Sequence, residues 1–264
     1  MAQKETMTGA AAIEVCIEGL RFQLDPSRYI DRSLIDGTGL EVGTVGALRR
    51  RIRPGMVAVD VGANFGYYTL LFSKWVGPTG RVVAFEPTAG YGERLRKHVA
   101  LNALDNVTIV PMGLGDTAAD AEIAIGVCSA TLHWASAALP TARERVRLVP
   151  FDLWWGAQKP LLGSARVDVM KIDVDGHEPA VLRGAEQTIR ADRPLLLLEV
   201  SRPNYEQAGE RVTDVVTWLQ ERGYDVMDGD RDAAFPSAEA LQETIHRMDV
   251  SCNLLCLPRE TVAL

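Results

Sequence analysis

VAVDVGANFGYYTL, residues 57–70, is the stretch on which the fold turns. Pro54-Gly55 precedes it, and Val57 to Val61 reads as a buried strand. Gly66 to Val76 reads as a helix, closed by Gly77-Pro78. Between strand and helix stand Gly62 and Gly66, which let the backbone turn tightly and approach a bound group. Strand, glycine turn, helix is the opening unit of a doubly wound α/β sheet, where ligands sit beyond the carboxyl ends of the strands.

Outward from that unit the same rhythm repeats. RVVAF (81–85) is a second strand, YGERLRKHVALNA (91–103) a second helix and VTIV (107–110) a third strand. VDVMKI (167–172) is a fourth strand, and a helix spans Glu178 to Ala191. LLLLEV (195–200) is a fifth strand, followed by a helix over Val212 to Arg222, a strand over Tyr224 to Met227 and a closing run NLLCL (253–257). Continuous apolar strands alternating with helices argue a parallel sheet covered on both faces. The stretch from 113 to about 163 breaks the rhythm and reads as an insertion between strands three and four. Residues 1–56, with a β-like piece over Ile13 to Leu24 and a helix over Val42 to Arg53, read as an N-terminal appendage or lid. Residues 57–264 are then the main domain.

Composition bounds the function. A chain of 264 residues fits one large α/β domain. The net charge of -7 and the lack of a broad basic patch argue against nucleic acid as a partner. The basic cluster Arg49, Arg50, Arg51 and Arg53 suits the end of a helix. Cys16, Cys128, Cys252 and Cys256 are scattered, as reduced thiols are; the last two have zinc-ligand spacing but no second pair. The first residues lack a signal-peptide core, and no run reaches the ~20 apolar residues of a spanning helix. The expectation is a cytoplasmic protein without a membrane partner; a homo-oligomer stays open.

The first strand ends at Asp60, in Asp60-Val61-Gly62-Ala63-Asn64-Phe65-Gly66, and the second at Glu86. An acid at the second strand end accepts ribose hydroxyls. A dinucleotide site wants a third glycine and a phosphate-friendly loop, whereas this loop carries a carboxylate. Asp60 repels a pyrophosphate and attracts the ammonium and sulfonium of S-adenosylmethionine. At ~4 Å and an effective dielectric near 20 such a pair is worth on the order of 4 kcal/mol before desolvation. The sign favours a methyltransferase. An NAD(P)-dependent oxidoreductase is the alternative, and an inactive methyltransferase-fold scaffold a third.

The fourth strand runs into Asp173-Val174-Asp175-Gly176-His177-Glu178. A hydroxyl attacking the methyl group needs a proton acceptor. Asp173 and His177 are the candidates, the imidazole because it titrates near neutrality. Glu178 reads as a first-turn acid of its helix. The neighbouring acids also suit a divalent metal, which is left open and not expected. Glu199 lies at the same sheet edge, where it touches substrate or orients a neighbour. Trp134, Trp154 and Trp155 read as core aromatics, with stacking on a flat substrate as the alternative.

DVGANFGYYTL (60–70), VVAFEP (82–87), KIDVDGHEPAVLRGA (171–185) and RPLLLLEV (193–200) together resemble the FkbM-type methyltransferases. GLEVGTVGALRRRIRPGMVAVDVGAN (39–64) is similar to that family's approach to its first strand. The resemblance runs in order from about residue 39 to 257, and KIDVDGHE is its most specific motif. The family more often has Glu where this chain has Asp175. The resemblance implies a Rossmann-like class I fold and S-adenosylmethionine-dependent O-methylation of a hydroxyl on a sugar or natural-product small molecule, as in secondary metabolism. It also implies that Asp60, Gly62, Asn64, Glu86 and Asp116 line the cofactor site, Asp116 as an adenine contact. Glu41 and Asn102 are further candidates, and Asn102 also reads as the cap of its helix end.

Overall fold

The structure is a computed structural model that describes residues 12–126, 130–133, 140–162, 166–247 and 251–259, with backbone alone for 159–162. Trp134 and Cys128 lie outside the described residues. The chain opens with a hairpin, β1 (Ile13–Ile17) and β2 (Leu20–Leu24), then helices α1 (Tyr29–Ile35) and α2 (Val42–Arg51). The glycine-turn unit follows as β3 (Val57–Val61) and α3 (Tyr67–Val76), then β4 (Arg81–Phe85), α4 (Ala89–Leu101) and β5 (Val107–Val110). Next come β6 (Gly113–Leu114), β7 (Ala119–Ile125), β8 (Ala130–Thr131), β9 (Ala142–Val149) and α5 (Phe151–Leu162). β10 (Val169–Ile172) leads to α6 (Glu178–Gly184), α7 (Glu186–Asp192), β11 (Leu195–Ser201) and α8 (Arg202–Gln207). The rest is α9 (Val212–Glu221), β12 (Tyr224–Asp228), β13 (Ala233–Ala234), α10 (Ala238–His246) and β14 (Ser251–Pro258).

The main sheet has the order β13-β12-β14-β11-β10-β3-β4-β5. After β3 the chain moves outward to β4 and β5, then returns to place β10 on the other side of β3. That reversal opens a crevice at the carboxyl ends of β3 and β10, the usual ligand position in such sheets. The pleat sorts the side chains. Val57, Val59 and Val61 share one core with Phe151 and Trp155 of α5. Ala58 shares the opposite core with Leu70 and Phe72 of α3, Leu48 of α2, and Phe22 and Leu24 of the hairpin. Asp60 therefore points toward α3, since alternate residues share a face.

Three expectations need correction. The sheet is mixed: β14 runs antiparallel to both β11 and β12. An apolar run such as Asn253 to Leu257 encodes burial, not direction. The helix expected over 178–191 is two helices, broken at Ala185 (φ -112°, ψ 7°). The insertion is shorter than 113–163. Its strands form a separate sheet, β6-β9-β7-β8, but α5 covers the main sheet. Trp155 is buried there, and Trp154 stands edge-on to Phe85 with ring centroids 4.9 Å apart, so both serve the core.

The N-terminal elements are bound into the same body. Phe22 and Leu24 are fully buried, each worth roughly 1.5–3 kcal/mol of transfer free energy. The Asp31 carboxylate takes the Arg94 guanidinium and the Asp25 N–H. Arg50 and Arg51, at the end of α2, both pair with Asp232. Among the described residues no helix is long and apolar enough to cross a membrane.

Candidate functional site

The loop after β3 is shaped by close contact. Gly62 has φ +76°, and a Cβ placed on it would lie 1.9 Å from the Asp173 carbonyl oxygen. The ends of β3 and β10 thus meet where only glycine fits. The Gly62 and Ala63 N–H groups both donate to the Phe85 carbonyl at 3.0 Å. Asn64 adopts φ 52°, and its N–H donates to Glu86 Oε2 at 2.8 Å. Glu86 Oε1 accepts from the Thr88 N–H at 2.9 Å and the Thr88 hydroxyl at 2.7 Å. Burial pushes the Glu86 carboxyl above its usual range despite those three donors.

Beneath the loop lies a polar row on the α3 face of the sheet. Lys171 stands level with Asp60 in the parallel register of β10 and β3. Asp60 is fully buried, and its Oδ2 accepts from the Thr69 hydroxyl at 2.5 Å. Its Oδ1 is buried with no hydrogen bond; the nearest charge is Lys171 Nζ at 3.8 Å. Burial raises the Asp60 pKa, against the pull of Lys171. Lys171 Nζ lies 2.8 Å from Asp173 Oδ2 and 5.0 Å from the centre of the Tyr68 ring. Burial works against the Asp173 charge, yet the neighbouring ammonium holds its carboxyl below the usual range. The Tyr68 hydroxyl donates to Glu41, whose pKa is raised by burial and by the Asp173 charge.

These groups line one cavity of about 290 Å³. The structure brings Glu41, Asp60, Gly62, Asn64, Glu86 and Asp173 together on its wall. Lys171 is the one cation among its described lining residues. A smaller apolar slot of about 50 Å³ adjoins it, sharing Gly62, Glu86 and Asp173, and is closed by Gly113, Leu114 and Leu148.

Three expected site residues lie elsewhere. Asn102 faces away: its Oδ1 accepts from the Arg21 N–H at 2.7 Å and its Nδ2 donates to the Arg21 carbonyl at 2.8 Å, tying the hairpin to α4. Asp116 turns outward to Arg183 Nε at 3.1 Å, and that pair is half exposed. His177 is in the small slot, not in the main cavity. Its Nδ1 sits 3.2 Å from His133 Nε2, and burial, with His133 beside it, pushes its pKa down to about 4. Glu178 is structural: it accepts from the Val174 N–H at 2.8 Å and the Gly176 N–H at 3.0 Å, clamping the turn. Lys171 was missed, although a lysine inside the run VMKI is a signal that a buried acid stands opposite.

A depressed histidine carries a sign. Stability from His177 is fully present above its unfolded value near 6.5 and is lost as pH falls toward about 4. His177→Gln should therefore flatten the decline of the denaturation midpoint across that window. An equally steep decline in the variant would contradict the assignment.

The family model for the methyltransferase FkbM domain matches residues 60–226. The chain belongs to that family. This FkbM methyltransferase is 26% identical over 198 residues to methyltransferase sdnD of Sordaria araneosa, covering 64% of this chain and 73% of that relative. A crystal structure of methyltransferase FkbM from Methylobacillus flagellatus KT aligns at 16% identity and TM-score 0.46, over 78% of this chain but only 44% of that one. A putative rRNA-methylase from Clostridium thermocellum aligns at 12% identity and TM-score 0.50, over 83% of this chain and 94% of that one, a likeness of fold alone.

Membership sets the oxidoreductase alternative aside and makes S-adenosylmethionine the methyl donor. The residues present fit it. Asp60 Oδ1, buried without a donor, suits an ammonium, and Glu86 retains acceptor capacity for a ribose hydroxyl. The apolar slot beside Glu86 suits a flat base. Among the described residues no three His, Cys, Asp or Glu side chains converge closely enough to hold a metal ion. Glu86→Gln should weaken S-adenosylhomocysteine binding about tenfold to a hundredfold, the worth of a charge-assisted hydrogen bond. Calorimetric titration measures this; unchanged affinity would remove Glu86 from the cofactor site.

Proposed function

We propose that this FkbM methyltransferase O-methylates a hydroxyl on a sugar or natural-product small molecule, with Asp173 as the proton acceptor. One observation carries the reading. Asp173, alone of the two acid–base candidates, lines the main cavity, and Lys171 keeps it ionised there. S-adenosylmethionine, when bound, supplies a methyl group on a positive sulfur, ready for in-line displacement; its methyl group would pass to the acceptor oxygen with the S–C electron pair left on sulfur. The chain's part is to orient the acceptor and exclude water. The hydroxyl proton passes to the Asp173 carboxylate, which Lys171 has held open for it.

The acidic wall supports the same acceptor class. Glu41, Asp173, Asp175 and Glu199 face the space beside the cofactor groups. Their oxygens accept from hydroxyls, and the charge held on Asp173 repels carboxylated or phosphorylated acceptors. The cavity, at about 290 Å³, lies just below the usual range of ligand pockets, about 300–1,000 Å³. The test is a methyl-transfer screen over neutral polyols, sugars and hydroxylated natural products, read by mass for the gain of one methylene. Methylation confined to amines, thiols or carboxylates would overturn the reading. Asp173→Asn should lower turnover far more than cofactor affinity; equal losses would deny it the proton.

A further inference from the structure

β10 and β11 run parallel with Ile172 level with Leu198. The next residues along, Asp173 and Glu199, therefore stand side by side across about 5 Å of sheet with side chains on one face. Both line the main cavity. Asp173 is bounded on one side by Lys171 Nζ at 2.8 Å. Glu199 is bounded on the other by the Ser251 hydroxyl, which donates to its Oε1 at 2.6 Å. Two half-buried carboxyl groups this close, on one face of the sheet, do not both ionise readily; they share a proton. Lys171 decides where it rests, because its ammonium bonds Asp173, leaving the charge there and the proton on Glu199.

We propose that Glu199 is a positioning residue for methyl transfer: its protonated carboxyl donates a hydrogen bond to Asp173 and turns the free Asp173 lone pairs toward the acceptor hydroxyl. This rests on Asp173 as the proton acceptor. The two carboxyl groups hydrogen-bond directly, with Glu199 raised well above its usual range by burial and by the Asp173 charge. The other groups facing the pair all hold that proton in place or are neutral. Asp175 adds negative charge from the loop after β10, and Cys252, itself raised by burial, presents a neutral thiol from β14. Glu41, with its Tyr68 partner, faces Asp173 from the start of α2. When alkali strips Glu199, a second negative charge appears beside Asp173 and the hydrogen bond is lost.

The experiment compares Glu199→Gln with Glu199→Ala. Glutamine still donates to Asp173 but cannot ionise. It should stay within about tenfold of native turnover and lack the alkaline decline that the native chain shows, whereas alanine should lose about a hundredfold at every pH. Calorimetry with S-adenosylhomocysteine confirms that each variant is folded and loaded. Infrared difference spectra of the acceptor-free chain supply a second readout. The native chain at neutral pH should show a protonated-carboxyl stretch that vanishes in Glu199→Gln and shifts in Asp173→Asn. Glutamine as impaired as alanine, an alkaline decline retained in Glu199→Gln, or no carboxyl band lost would each overturn the proposal. A screen that finds no acceptor would count against the O-methylation reading, and the infrared result would then decide the proton's position alone.

Discussion

Gly62→Ala should abolish cofactor binding and cost the folded chain about 2–5 kcal/mol. Two separate effects add. The residue sits at φ +76°, a left-handed conformation that costs an L-residue roughly 1–2 kcal/mol. A Cβ there would also lie 1.9 Å from the Asp173 carbonyl oxygen, a backbone atom that no rotamer change can move aside. Overpacking of that kind costs typically about 1–3 kcal/mol. Relief comes by parting the ends of β3 and β10, which moves Asp60, on β3, and Asp173, just past β10, away from each other. Urea denaturation and S-adenosylhomocysteine titration measure the two consequences. A variant with native midpoint and native affinity would show that the strand ends do not touch. Gly66→Ala is milder by the same reasoning, because its Cβ would meet the Leu95 side chain at 2.5 Å, and a side chain can give way.

The contact between those strand ends also marks the limit of sequence reading. Periodicity and glycine turns located β3, α3, β4, β5 and β11 almost to the residue, since each is an apolar run or stripe bounded by Gly or Pro. Strand direction was not legible, because β14 satisfies burial equally well either way up. At the site, Asp60, Glu86 and Asp173 could be read because an acid ending an apolar strand needs a reason. Asn102 follows its other reading, as the cap of its helix end, with its Nδ2 donating to the His98 carbonyl at 2.8 Å, and Asp116 turns out from the cavity wall. Position along the chain does not say which way a side chain turns. Asn102 answers to the hairpin backbone at Arg21, and Asp116 to Arg183, both distant in sequence. His177 stands in the adjoining slot, and its partner His133 arrives from just past β8, whose placement no local pattern foretells.

Lys171→Met should destabilise the chain by about 3–5 kcal/mol near neutral pH, the usual penalty for stranding a buried charge. The ammonium touches two carboxylates of the polar row, Asp173 at 2.8 Å and Asp60 at 3.8 Å, and Lys171 is 3% exposed, so water cannot replace it. Methionine fills the same volume, which confines the effect to charge. The pH dependence separates this from a packing defect. Without the ammonium, burial holds both carboxyl groups above their unfolded value near 4. Stability is then fully present below that value and is lost as pH rises through the raised folded values. The gap between variant and native midpoints should therefore narrow as the solution is acidified from neutrality. Adding Asp173→Asn to Lys171→Met should recover part of the loss at neutral pH, since one stranded charge disappears with its partner. Ligand should act in the same direction: a bound ammonium beside Asp60 replaces part of what the lysine supplied, so S-adenosylmethionine should raise the variant's midpoint by more than its affinity for native protein would give. A gap that is constant with pH, and a double variant no more stable than the single, would mean that Lys171 serves the core as an apolar stem and does not hold the charge of Asp173.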